Sequence, residues 1–149
     1  MQQWFDEYAE SHQNSTNQKI HYICVPAIYF SIVGMLMSIP STTITHLLQF
    51  ENQFFTNWAM VIVLFALFLY LIHSIKSFVL MLIFSVACII FNSYLSLYLP
   101  LFLTSLILFV VAWIGQFYGH KIEGKKPSFF KDLQFLLIGP AWVFEKITK

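Results

Sequence analysis

Charge is what this sequence has least of. Between Lys19 and Lys121 only Glu51 and Lys76 carry a formal charge. Across all 149 residues, charged side chains make up 10% and hydrophobic ones 58%, whereas a soluble domain has about 25% charged. Arginine is absent, and the lysines nearly balance the acids, which leaves no basic stripe for a nucleic-acid partner. The two cysteines, Cys24 and Cys88, lie in apolar runs and form no CxxC pattern, so neither a structural disulfide nor a zinc knuckle is expected. The first residues lack the basic and apolar regions of a signal peptide, so no cleaved segment is expected there. No internal repeat and no low-complexity tract is visible.

Four hydrophobic stretches fill the uncharged interval, at about 20–39, 58–74, 78–98 and 101–117. Each approaches the roughly 20 helical residues that cross a ~30 Å bilayer core. The expected fold is an all-α integral membrane protein, a four-helix transmembrane bundle forming a single domain over 1–149. Residues 2–10 place Trp4, Phe5 and Tyr8 on one stripe beside acids, which predicts an interfacial N-terminal helix. Residues 129–147, broken by Gly139-Pro140, predict interfacial or re-entrant helices. The Ser- and Asn-rich run at 11–19 reads as a loop leading into a helix. Pro26 predicts a kink in the first span, and Leu99-Pro100 a tight hairpin between the last two. Four spans put both termini on one side, and every lysine falls on that side, so both termini should be cytoplasmic. This places the chain in the inner membrane if bacterial and in the endoplasmic reticulum if eukaryotic.

This topology brings His12, His21, His73 and His120 to the cytoplasmic edge and leaves His46 opposite. Glu123 lies three residues after His120, a spacing that shares one helical face. Imidazole with carboxylate suits Fe(II), Mn or Zn, and polar groups at membrane depth are costly unless they serve a function. His46 and His73, taken singly, fit interfacial side chains, and Cys24, one turn from His21, fits apolar packing better than ligation. Asn14 and Asn17 fit helix caps or substrate contacts equally.

The strings SHQNSTNQKIHYICVP at 11–26 and GQFYGHKIEGKKPSF at 115–129, with the closing LLIGPAWV, resemble the small membrane-embedded 2-hydroxy fatty acid dioxygenases. The best-understood fungal member of that family acts in phytosphingosine breakdown. The resemblance covers nearly the whole chain. It implies an Fe(II)-dependent α-oxidation in which a 2-hydroxy fatty acid and O2 give the acid one carbon shorter and CO2. It carries over His12, His21 and His120 as catalytic and iron-site residues, while Glu123, one residue nearer its histidine than in many members, and His73, outside any family motif, are candidates for a further ligand by position alone. Asn14, Asn17 and Lys125 are candidate substrate contacts, although Lys125 also fits a solvated basic loop. The expected partners are the 2-hydroxy fatty acid, O2 and membrane lipid.

Two other classes compete with this reading. A non-enzymatic scaffold or transporter subunit would leave the histidines incidental and bind no metal. A membrane di-iron desaturase would need HxxxH and HxxHH boxes, which this chain lacks.

Overall fold

The computed structural model describes residues 13–52, 54–124, 140–141 and 143–144. Five helices are delimited: α1 (Ser15–Met37), α2 (Thr42–Leu48), α3 (Trp58–His73), α4 (Ile75–Leu95) and α5 (Leu101–Glu123). No strand occurs among the described residues. The expected interfacial segments at 2–10 and 129–147 lie outside them, apart from Pro140, Ala141, Val143 and Phe144, which are helical. The chain divides into two units, Met1–Tyr29 with Leu108–Lys149, and Phe30–Ile107.

Local capping sets the helix ends, and it shifts several of them from the hydrophobic boundaries. Asn14 Oδ1 accepts from the backbone N–H groups of Thr16 (2.9 Å) and Asn17 (3.3 Å), so it caps α1 and turns the expected loop at 15–19 into helix. The helical assignment then continues through Pro26 to Met37. Ser74, in extended conformation, ends α3 by donating its N–H to the Tyr70 carbonyl, and starts α4 by accepting from the Ser77 N–H. A single residue therefore joins the two helices, and α4 begins at Ile75 rather than at 78. After Pro100, α5 runs past 117 to Glu123 and stops at Gly124, whose φ of 73° is the left-handed conformation favoured at a helix C-terminus.

The polar interval before α3 is an organised turn. Thr56 donates its N–H and its hydroxyl to the Asn52 carbonyl, and Asn52 Oδ1 accepts from the Phe54 N–H. Asn57 then caps α3 by accepting from the Met60 N–H at 2.9 Å. The short helix α2, ahead of this turn, has no counterpart in the hydropathy pattern.

Three helices, α1, α4 and α5, are long and apolar enough to cross a membrane, while α3 is apolar but shorter. Their surfaces are inverted relative to a soluble protein. Leu64, Phe65, Phe68, Ile72, Ile83 and Phe91 are exposed, while Ser77, Ser85, Asn92, Ser93 and Ser105 are buried. An apolar exterior of this extent suits lipid contact, and small or hydroxylated residues inside let helix backbones approach closely. In the Phe30–Ile107 unit, Asn92 Nδ2 donates to the carbonyls of Phe30 (3.2 Å) and Cys88 (2.9 Å). Gly34 of α1 packs so tightly there that an added Cβ would strike Ser105 Oγ and Asn92 Oδ1.

Candidate functional site

In the unit formed by 1–29 and 108–149, the first turns of α1 face the last turns of α5. Glycine permits the approach. A Cβ on Gly115 would lie 2.7 Å from Cys24 Sγ, and one on Gly119 would strike Asn17 Oδ1. Gly115 and Gly119 form a GxxxG pair, the spacing that keeps two backbone-exposing positions on one helix face. Against that face α1 presents Asn17, His21 and Cys24, at helical spacing.

The close approach brings His21 and His120 together. Their ring centroids are 5.1 Å apart and their planes cross at 86°. His21 is 1% exposed and His120 4%, and Gln116, one turn before His120, is buried as well. His21 Nδ1 and His120 Nε2 are both buried. Two imidazoles bound to one ion through nitrogens at ~2.0–2.1 Å have centroids roughly 4.5–5.5 Å apart, so the observed spacing fits a shared metal. It equally fits an edge-on aromatic contact.

Glu123 reaches from the end of α5 to the start of α1. Its Oε1 accepts from the N–H groups of Gln13 (3.0 Å) and Asn14 (3.2 Å), and its Oε2 from the Asn14 N–H (3.1 Å) and Asn17 Nδ2 (2.8 Å). A carboxylate at a helix N-terminus satisfies donors that have no partner inside the helix and is favoured by the helix dipole. Asn14 caps the same turn, so both side chains serve the helix end.

Among the described residues no three His, Cys, Asp or Glu groups cluster as a metal site. The structure unites His21 with His120, and places Asn17 and Glu123 beside them. His12 and Lys125 lie outside the described residues. His46, exposed on α2, and His73, at the end of α3, belong to the Phe30–Ile107 unit.

The family described as 2-hydroxy-palmitic acid dioxygenase Mpo1-like matches residues 1–149, the whole chain. The chain belongs to this Mpo1-like family. No curated protein and no solved structure matches it. The Mpo1-like match takes in both helix ends that form the imidazole pair, and His12 beyond them. Two features of the site escaped the sequence reading, the glycine-mediated approach and the buried Gln116. Both stand in the GQFYGH string, where the GxxxG spacing was the available signal.

Proposed function

We propose that this Mpo1-like protein is an Fe(II)-dependent dioxygenase that shortens 2-hydroxy fatty acids by one carbon. The observation that carries the reading is the buried His21–His120 pair in a chain whose family name specifies a 2-hydroxy-palmitic acid dioxygenase. The overall change balances as 2-hydroxy acid plus O2 giving the shortened acid, CO2 and water. The bond between the carboxyl carbon and Cα breaks, both carbons are oxidised, and O2 takes the electrons released.

His12, His21 and His120 would hold the iron, two of them brought together by the described helices. Bound iron supplies the O2 activation that no amino-acid side chain provides. The chain itself supplies the setting. Gly115 and Gly119 let α1 and α5 close on the imidazoles, and burial holds water away from them. The acyl tail, in this reading, runs among apolar helix surfaces, so only the carboxylate and 2-hydroxyl need polar recognition. Helices α1, α3, α4 and α5 form four spans, with both termini and the site on the cytoplasmic side, as the lysines direct.

The test is conversion of 2-hydroxyhexadecanoic acid by detergent-purified, Fe(II)-reconstituted protein. Expected is an O2-dependent product one carbon shorter, abolished by chelator and restored by Fe(II). Hexadecanoic acid should not react, since it cannot form the five-membered chelate that positions the Cα–C bond. The 3-hydroxy isomer, offering a larger ring, should be inert or much slower. Equal conversion of the 2-hydroxy and unsubstituted acids, or shortening without oxygen, would overturn the mechanism. A scaffold or transporter subunit would convert neither and bind no metal.

A further inference from the structure

Asn17 is fully buried, at 0% exposure, and the two ends of its amide meet opposite surroundings. Nδ2 donates to Glu123 Oε2 at 2.8 Å, while Oδ1, equally buried, has no hydrogen-bond partner among the described residues. The N and O of an amide are alike in shape, so only their neighbours fix which points where. Here the neighbour decides. An ionised carboxylate offers acceptors only, so the NH2 must face Glu123 and the carbonyl must face away. Away from Glu123 lie Gly119 and His21: the point where a Gly119 Cβ would strike Oδ1 is 3.5 Å from His21 Cε1.

Glu123 is also poorly placed to be a ligand. A carboxylate has about four acceptor sites. The N–H groups of Gln13 and Asn14, the latter shared between both oxygens, and Asn17 Nδ2 direct four contacts at them.

We propose that Glu123 is a positioning residue rather than a metal ligand. Its carboxylate locks the Asn17 amide so that Oδ1 faces Gly119 on the His21 side, as the acceptor for the substrate's 2-hydroxyl. The same carboxylate fixes the backbone at Gln13, the residue after His12. The substrate's identity rests on the dioxygenase reading above. The contribution of Asn17 is discrimination, because a site with a fixed hydroxyl acceptor binds the analogue without that hydroxyl less well.

The test measures binding rather than turnover. Full-length protein in detergent is loaded with Co(II) under anaerobic conditions and titrated with 2-hydroxyhexadecanoic or hexadecanoic acid, following the visible spectrum. The ratio of the two dissociation constants is the readout, with thermal unfolding as the check on folding. Glu123→Gln puts a donor where Asn17 needs an acceptor, and turns the amide over. It should weaken binding of the 2-hydroxy acid about tenfold and leave hexadecanoic acid unchanged. Asn17→Ala keeps the Glu123 cap on α1 and should show the same loss of preference. The double variant Glu123→Gln/Asn17→Asp exchanges amide and carboxylate, returns an oxygen toward the pair, and should recover most of the preference.

A loss shared equally by both acids would mean that Glu123 only supports the fold, and would overturn the proposal. Loss of Co(II) in Glu123→Gln and in the double variant, with Asn17→Ala binding normally, would make Glu123 a ligand and overturn it too. A wild-type preference that survives both single variants overturns this proposal alone. Wild-type protein that binds both acids equally overturns the dioxygenase reading with it.

Discussion

Gly119→Ala is the smallest change that tests the geometry of the site, since it adds one methyl group where α5 meets α1. The new Cβ would strike Asn17 Oδ1, a contact too short for any real pair of atoms. Asn17 can yield only by giving up its 2.8 Å bond to Glu123, and a hydrogen bond to a charged group contributes about 1.5–3 kcal/mol. The other route parts the helices by roughly 1 Å, and overpacking of this kind costs about 1–3 kcal/mol. Either route destabilises the protein by a similar amount and disturbs the residues around the imidazole pair. Where the helices part, the imidazoles are drawn apart as well and Co(II) affinity should fall about 10–100-fold, whereas a displaced Asn17 should cost stability alone. Two glycines serve as comparisons. A Cβ on Gly115 meets Cys24 Sγ at 2.7 Å, so Gly115→Ala should be damaging alone and relieved by Cys24→Ala in the same chain. Gly124→Ala meets nothing within 4 Å but must hold a φ of 73°, which costs about 1–2 kcal/mol in an L residue. It should lower thermal stability and leave Co(II) affinity alone. The assay pairs thermal unfolding in detergent with Co(II) titration. Wild-type stability and Co(II) affinity in Gly119→Ala would refute the close approach of α1 and α5.

Further outcomes follow from the histidines and the lysines. Purified protein should carry about one iron per chain, and His12→Ala, His21→Ala and His120→Ala should each lose most of it by elemental analysis, since three imidazoles would share one ion. His46→Ala, whose side chain is exposed on α2, should keep its iron. Retention of wild-type iron in all three variants would move the site elsewhere. Reporters fused at the C-terminus and near Lys76 should read as cytoplasmic and one near Glu51 as the opposite side, and a C-terminus across the membrane would break the topology.

Hydropathy located the starts of α3 and α5 at Trp58 and Leu101, because in both cases an apolar run begins where a cap or a proline leaves off. It misplaced the start of α1. Ser15, Thr16, Asn17 and Gln18 look like loop, yet they form its first turn because Asn14 and a carboxylate more than a hundred positions away bond the exposed N–H groups. That second partner is a tertiary contact, and no local pattern reveals it. The end of α5 was set too early for a related reason. Polarity rises after Phe117, but nothing breaks the helix before Gly124. Of the site, the sequence singled out His21, His120, Asn17 and Glu123 one by one, by residue type and spacing. It could not assign Glu123 its partners, since their hydrogen bonds exist only once α1 and α5 lie side by side.

The one-residue link at Ser74 bears on how this protein comes to be made. Helices α3 and α4 pack against one another, and their connection is as short as a helix hairpin can have. Contacts between them are therefore among the most local in sequence, and closing them loses little chain entropy. As the chain emerges from the ribosome, this hairpin can form before α5 has followed it out. In the four-span reading the pair would enter the bilayer as one unit, each helix covering part of the other. Lengthening the link with flexible residues would leave the packed contacts in place while slowing their formation, so the yield of inserted protein would fall, with a stability loss of only about 0.6 kcal/mol for each doubling of the link.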